Sequence, residues 1–445
     1  MNYTRDSFHS RIGFVLAAAG SAIGLGNIWG FPTQAANNGG GAFVLVYLIV
    51  TVLLALPALY AEMYIGNQAQ KNPVGALQDA CKNVSRNLGK WAGLFGLLGA
   101  VLMLSFYSIV AGWMLSHALS PLMALLGFTE LSSWLADSSF ARNLAFTPIF
   151  IILSALIINK GVHAGIERWS SRLMPILFVL LIGLIIYILQ QPGASEGVAM
   201  YLQPDFSQLK NPQLIISAMG QAFFSLSIGV GGMMVYGSYM KKSADMGKLV
   251  ISIGALDTLI AFLAGLLIIP TLFVAQHMGQ EVFVDGQLIG GPQLIFSVLP
   301  TLFESMGDIG IYVSLVFFSL MSMAALTSTI SSTEVPVAYL VEDKNLPRTK
   351  ATAIVSLIVL AACMSIVFNF DTLFGLVITW VNSFQLPIMG LFYFIVVGWI
   401  WKRGNQLNDA ALLASKPSLK FWGNYLRYVC PAMLSVVFIN VLMSL

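Results

Sequence analysis

Residues 20–32 read GSAIGLGNIWGFP and lie inside an apolar stretch long enough to cross a membrane. The segment holds four glycines and ends at Pro32. Glycine lowers helix stability and proline removes a backbone donor, so this composition predicts a break in the middle of a helix. Helix packing is an alternative explanation, because glycines four residues apart also let two membrane helices approach closely.

The composition of the whole chain predicts an all-α membrane protein with many spans. Of 445 residues, 58% are hydrophobic and 9% are charged, whereas soluble domains carry about 25% charged residues. A bilayer-crossing helix needs about 20 apolar residues. The chain offers eleven such runs: 11–36, 41–68, 90–126, 144–159, 170–190, 213–239, 247–275, 307–341, 350–369, 372–401 and 424–444. We expect a single transmembrane domain over 1–445 and an uncleaved first helix, because its apolar run continues to Phe31.

The basic residues predict how the chain is oriented. If the N-terminus is inside, only Arg142 and Lys210 among the 22 Lys and Arg residues fall in outer segments. The positive-inside rule therefore favours an inner N-terminus, and eleven spans place the C-terminus outside. The outer segment 276–306 carries acidic residues and no basic one, and its length and apolar patches favour a folded cap over a plain loop.

A second glycine cluster, SLSIGVGG at 225–232, interrupts the sixth span. Breaks in spans one and six are expected if 11–190 and 213–401 are inverted repeats, with 424–444 as an additional helix. Irregular backbone at membrane depth is tolerated where it lines a cavity, and its free carbonyls can bind a cation. The pair of breaks thus indicates a transporter site.

Three acidic residues, Glu62, Asp257 and Glu334, lie well within the predicted spans. Charges there are costly and usually functional, so an acidic set favours cation handling, although a structural hydrogen-bonding role is the alternative. A cation channel would also explain these residues, but a substrate-sized site between two repeats favours a carrier. The three cysteines and four histidines show no metal-binding spacing, and no catalytic motif predicts an enzyme.

The two clusters, together with QAANNGGGAF at 34–43 and GQAFFSLSIGVGG at 220–232, closely resemble the neurotransmitter:sodium symporters, in particular their bacterial amino-acid transporters. The resemblance implies a 5+5 inverted-repeat fold with helices 1 and 6 unwound at mid-membrane. It also implies sodium-coupled symport by alternating access in a bacterial cytoplasmic (inner) membrane. A monomer or weak dimer in the lipid bilayer is expected, with no nucleic-acid partner.

The resemblance also implies two sodium ions. The first would be bound by the carbonyl of Ala22 and by Asn27, Ser225 and Asp257. The second would be bound by the carbonyls of Gly20, Ile23 and Ala324 and by the hydroxyls of Thr327 and Ser328. Sodium prefers oxygen ligands, but hydroxyls in membrane helices also commonly bond their own backbone.

By the same resemblance the substrate contacts Ser21, Ala22, Gly24, Gly26, Met103, Tyr107, Val110, Phe224, Ser225, Ser227, Val230, Ser328 and Ser332. Its carboxylate would meet the first sodium, the amides near Gly24 and Gly26, and Tyr107. Relatives that carry biogenic amines have Asp at the position of Gly24, so a substrate with its own carboxylate is expected here. Candidates are a neutral α-amino acid or a small ω-amino acid or aminosulfonate such as β-alanine or taurine.

The expected gates depart from the family pattern. Tyr107 and Phe224 would form an aromatic lid, but Gly30 stands where relatives place an outer-gate arginine, although the acidic partner Asp371 remains. At the inner gate Phe8 replaces the usual tryptophan. Arg5 persists there and is expected to pair with Glu342 or Asp343.

Asp257 occupies the asparagine position of the family, and Ala261 replaces a serine that helps to bind chloride in chloride-dependent relatives. A fixed carboxylate there would both bind sodium and take the place of chloride, so we expect no chloride requirement. When sodium leaves, burial disfavours the charged carboxylate. Proton uptake in its place predicts sensitivity to internal pH.

Overall fold

The computed structural model describes residues 8, 10–137, 139–242, 245–280, 282–284, 287–288, 294–401 and 422–443. The regular secondary structure of these residues is helical, apart from two short antiparallel strands, Phe283–Val284 and Gln287–Leu288. The helices are α1 (Arg11–Ala22), α2 (Gly26–Asn37), α3 (Gly41–Ala69), α4 (Pro73–Ala80), α5 (Arg86–Leu125), α6 (Thr129–Ala136), α7 (Phe140–Ile158), α8 (Val162–Ile188), α9 (Ala194–Leu202), α10 (Pro212–Ser225), α11 (Gly232–Ser238), α12 (Met246–His277), α13 (Leu299–Ser305), α14 (Asp308–Asp343), α15 (Arg348–Phe368), α16 (Phe370–Ile400) and α17 (Cys430–Met443). A 3₁₀ turn covers Phe206–Lys210, and π-helical turns precede α13 and α17 at Leu294–Val298 and Tyr425–Val429.

Eight of these helices are long and apolar enough to cross a membrane, and a ninth span results if α1 and α2 are counted as one bent pair. The prediction of a helical protein with many spans is therefore confirmed. The two further predicted spans correspond to α10 with α11 and to 425–443, which are helical in shorter pieces. The count of eleven stays a prediction.

The first glycine cluster lies where α1 ends and α2 begins. Ile23 is extended (φ −68°, ψ 107°), and the two helices meet at an angle of 52°. A Cβ at Gly24 would collide with the hydroxyl oxygens of Tyr107 and Ser328, so only glycine lets the backbone approach these side chains.

The second cluster separates α10 from α11 by six non-helical residues, 226–231. Three residues of this stretch have positive φ: Ser227 (52°), Gly229 (97°) and Gly231 (87°). The left-handed region is open to glycine and unfavourable for serine, so Ser227 is held there by its surroundings.

The buried core runs through the centre of the bundle and surrounds both breaks. The long helices α5 and α14 make the most extensive helix pair and flank the site. We call the end of the molecule with Gly30, Gln221 and Asp371 the outer end, and the end with Phe8, Glu334 and Arg348 the inner end. These names follow the orientation predicted from the basic residues.

Candidate functional site

The aspartate cluster, formed by Asn27, Ser225 and Asp257, lies beside the first break and is fully buried. Asn27 Nδ2 donates to Asp257 Oδ1 at 2.7 Å and to Ser225 Oγ at 2.9 Å. Ser225 Oγ in turn donates to Asp257 Oδ2 at 2.8 Å. In the described part of the chain no basic side chain forms an ion pair with Asp257. A buried carboxylate with only neutral donors is electrostatically suited to a bound cation.

The cluster is also tied to the broken backbone. Asn27 Oδ1 accepts a hydrogen bond from the Gly24 amide at 3.0 Å. Tyr47 Oη donates to Ser225 Oγ at 3.4 Å. The side chains predicted for the first sodium site are therefore brought together at the point where α1 ends.

The residues predicted for the second sodium site also meet. Ser328 Oγ donates across the helix interface to the Ile23 carbonyl at 3.1 Å. Thr327 Oγ1 bonds the Ala324 carbonyl of its own helix at 2.9 Å. A Cβ at Gly20 would lie 3.5 Å from Thr327 Cβ, so α1 packs closely against the Thr327 side chain. Carbonyl and hydroxyl oxygens converge here, which is the chemistry that a hard cation requires.

The residues predicted to bind the substrate carboxylate surround the same break. Tyr107 Oη accepts a hydrogen bond from the Leu25 amide at 3.0 Å. The ring of Phe224 packs over the other side of the break, where a Cβ at Gly26 would lie 3.2 Å from Phe224 Cδ1. The other predicted pocket residues are all buried: Ser21, Ala22, Met103, Val110, Ser227, Val230 and Ser332.

The second break is held by Glu62, an acidic residue that the sequence had already marked. Its carboxylate accepts from the Gly229 amide at 2.9 Å and from the Met234 amide at 3.3 Å. The carboxylate thus satisfies donors that the interrupted helix leaves free, at the start of α11.

Sequence reasoning missed two buried glutamines that bind the breaks. Gln221 Nε2 donates to the Gly26 carbonyl at 2.6 Å, and Gln385 Nε2 donates to the Gly229 carbonyl at 3.0 Å. The only signal for either was an amide side chain within a predicted span.

At the outer end Gln221 occupies the space beside Gly30. A Cβ at Gly30 would lie 3.0 Å from Gln221 Oε1. Asp371 is exposed and, among the described residues, forms no ion pair. A cavity of about 260 Å³ lies above Phe224, and its polar lining is uncharged: Gln34, Gln213, Ser217, Gln221, Asn382 and Ser383.

The inner end, by contrast, is closed by charged groups. Tyr239 Oη donates to Glu334 Oε1 at 2.7 Å, and Arg348 Nη1 donates to the same oxygen at 3.1 Å. Arg348 Nε also donates to the Ile158 carbonyl at 2.9 Å, so the guanidinium ties α15 to α7 and α14.

Aromatic packing adds to this inner contact. The ring of Phe8 packs edge-on against Phe14 and Tyr236, with centroids 5.1 and 5.6 Å apart. Glu342 and Asp343, the predicted partners of Arg5, both bind Asn72. The Glu342 carboxylate accepts from the backbone amide of Asn72 at 2.7 Å, and the Asp343 carboxylate accepts from Asn72 Nδ2 at 2.7 Å. Arg5 itself lies outside the described residues.

Comparison with known proteins identifies the class to which this fold and site belong. The model of the sodium:neurotransmitter symporter family matches residues 5–145 and 140–445. An uncharacterized sodium-dependent transporter of Bacillus subtilis is 34% identical over 97% of both chains. One of Haemophilus influenzae is 32% identical over 99% of this chain and 98% of that protein.

Among solved structures, MhsT in complex with L-phenylalanine superposes with a TM-score of 0.83 and 35% identity, over 98% of this chain and all of that one. The chain belongs to the sodium:neurotransmitter symporter family. The family predicted from the glycine motifs is thus confirmed, and its relatives are transporters rather than enzymes.

Proposed function

We propose that this protein is a sodium-coupled symporter that imports a zwitterionic amino acid across the bacterial cytoplasmic membrane by alternating access. It does so with an inner N-terminus and eleven spans, ten of them in two inverted repeats of five and the last an additional helix. The observation that carries the proposal is the aspartate cluster, a fully buried carboxylate at a helix break whose hydrogen-bond donors, among the residues that the structure describes, are neutral. The sodium-dependent transporters that match 97–99% of the chain support the coupling ion.

Chloride independence follows from the same cluster. Ala261, one turn after Asp257, is buried and has no hydroxyl to offer an anion. A chloride ion near ionised Asp257 would meet like-charge repulsion, which is strong where the effective dielectric constant is low. The carboxylate supplies the negative charge that balances sodium, so the transport cycle runs without chloride.

The space at Gly24 favours a substrate that brings its own carboxylate. Tyr107 and Ser328 fill the position where a side chain of residue 24 would lie. Glycine at this position supplies no acidic side chain, so the substrate carboxylate meets Tyr107 and the backbone amides near Gly24 and Gly26. The phenylalanine complex of MhsT favours an α-amino acid over a small ω-amino acid or aminosulfonate.

Closures at both ends favour a carrier over a cation channel. Phe224 and Gln221 cover the outer side of the break, while Glu334 and Arg348 join the helices on its inner side. A carrier needs a gate on each side of one site, whereas a channel in its conducting state opens both.

The second sodium site provides the test of the proposed function. Thr327→Ala/Ser328→Ala removes both hydroxyls and should abolish sodium-stimulated uptake of an amino acid into proteoliposomes. The matched control is Thr329→Ala/Thr333→Ala, because these hydroxyls are buried on the same helix, bond its backbone carbonyls and belong to neither predicted sodium site. Both variants should elute as monodisperse protein. Normal uptake with unchanged sodium dependence in the first variant would refute the assignment.

A further inference from the structure

Glu167, in the first turn of α8, binds the start of α1. Its Oε1 accepts hydrogen bonds from the Ser10 amide at 3.2 Å and from Ser10 Oγ at 3.4 Å. Ser10 is the N-cap of α1, and its Oγ also accepts from the Gly13 amide at 2.8 Å. One carboxylate oxygen of α8 is therefore attached to the residue at which α1 begins.

The two helices pack closely at this point. Glu167 is buried, and a Cβ at Gly13 would collide with its carboxylate, so only glycine lets α1 approach it. The second oxygen, Glu167 Oε2, lies 3.0 Å from His163 Nδ1. An ionised carboxylate only accepts, so the ring nitrogen donates. The carboxylate is thus held by its own helix through one oxygen and binds α1 through the other.

The charge of Glu167 also suits the end of α1 that it contacts. The N-terminus of a helix carries a partial positive charge, which a nearby carboxylate stabilises. The first turn of α1 contains no acidic residue of its own. Glu167 supplies the negative charge from the neighbouring helix.

The other end of α1 is the first break. Ile23 is extended there, and α1 meets α2 at an angle of 52°. Because regular helix does not continue through this point, α1 can pivot at the break without bending α2. Its inner end is held against α8 by Glu167 and is packed through Phe8 against Tyr236. Separation of α1 from α8 would therefore open the inner end.

We propose that Glu167 is a positioning residue that keeps the start of α1 against α8 and thereby stabilises the closed inner state. This inference rests on the proposed function, in which the inner end opens once in each cycle. Hydrogen bonds to an ionised acceptor are stronger than those between neutral groups. Ser10 is exposed, however, so water can replace Glu167 as its partner when α1 moves. The contact favours closure and still allows opening.

Ser170 is the position at which this opening can be measured. Glu167, Ser170 and Met174 share one face of α8, since they are three and seven residues apart. Glu167 lies against Gly13, and a Cβ at Gly20 would lie 3.4 Å from Met174 Cγ, so this face packs on α1. Ser170 lies between these two contacts and is 2% exposed. A cysteine in its place should react with a thiol reagent only when α1 separates from α8.

The experiment measures how fast N-ethylmaleimide labels purified Ser170→Cys protein without sodium. Adding Glu167→Met removes both acceptor oxygens at similar side-chain length, so we expect labelling at least about fivefold faster. Glu167→Gln keeps one neutral acceptor and should label faster than the parent but more slowly than Glu167→Met. The matched control is Glu196→Met, an exposed carboxylate in the first turn of α9, which should label like the parent.

The native cysteines distinguish this role from a general effect on stability. Cys81, Cys363 and Cys430 are buried. In protein that retains Ser170, Glu167→Met should leave their labelling unchanged. An equal acceleration at the native cysteines would show general loosening of the fold and overturn the inference.

The same labelling measurement separates the inference from the proposed function. Unchanged Ser170→Cys labelling in Glu167→Met, together with sodium-dependent amino-acid uptake by the wild type, overturns the inference alone. If Glu167→Met fails to fold, Glu167→Gln decides, and labelling at the parent rate would contradict the inference. Absence of sodium-dependent uptake of every amino acid tested, with wild-type protein in proteoliposomes, would instead refute the proposed function.

Discussion

The outer and inner closures of this transporter use different chemistry. At the outer end an uncharged amide, Gln221, bonds the Gly26 carbonyl beside Gly30. At the inner end Arg348 and Tyr239 bind the buried carboxylate of Glu334. A neutral hydrogen bond contributes about 1 kcal/mol net, whereas leaving one member of a buried ion pair uncompensated costs about 3–5 kcal/mol.

This difference bears on which end opens first. The outer closure breaks at a small cost, while the inner closure opens only if its buried charges find other partners or water. We infer that the protein without substrate favours a state open to the outside. This is the state in which an importer meets its substrate.

The largest expected effect is that of breaking the inner closure. Arg348→Gln leaves Glu334 buried without its cation. We expect this change to destabilise the closed inner state by about 3–5 kcal/mol and to remove most of the uptake. Uptake into proteoliposomes and the thermal unfolding midpoint measure this change. The matched control is Lys350→Gln, an exposed basic residue on the same helix.

A double variant sharpens this prediction. Glu334→Gln/Arg348→Gln removes both charges and should recover part of the uptake, because no uncompensated carboxylate remains. Arg348→Gln that behaves like Lys350→Gln would show that the inner closure does not depend on this pair.

Weakening the outer closure should have a moderate effect. Gln221→Met removes the hydrogen bond to the Gly26 carbonyl. The outer closure then loses about 1 kcal/mol of stabilising free energy, which raises the half-saturation concentration for uptake by about fivefold. Measurement of uptake against substrate concentration tests this. A loss as large as that of Arg348→Gln would remove the contrast between the two closures.

The smallest effect is expected at Asp371. The residue is exposed and has no cation opposite it at Gly30. Asp371→Asn should therefore change the free energy of unfolding, and the free-energy barrier of transport, by no more than about 0.5 kcal/mol. Initial uptake rates of the variant and the wild type provide the comparison. Complete loss of transport would mean that another cation pairs with Asp371.

The sequence predicted the features that have a local signature. Glycine clusters marked the breaks at Gly24 and Gly229, and hydropathy made Asp257 and Glu334 conspicuous as charges inside spans. Gln221 and Gln385 gave no comparable signal, because each bonds a backbone carbonyl that lies 195 or 156 residues away along the chain. Arg348 was predicted only as an inner positive charge, since the helix packing that brings it to Glu334 is a property of the folded bundle.

The central claim is that Asp257 takes the place of chloride in a sodium-driven cycle. The most direct test is amino-acid uptake into proteoliposomes under a sodium gradient, with all chloride replaced by gluconate. We predict that wild-type uptake is unchanged and depends on internal pH, whereas Asp257→Asn/Ala261→Ser transports only when chloride is present. A several-fold fall of wild-type uptake in gluconate would contradict this account of the site.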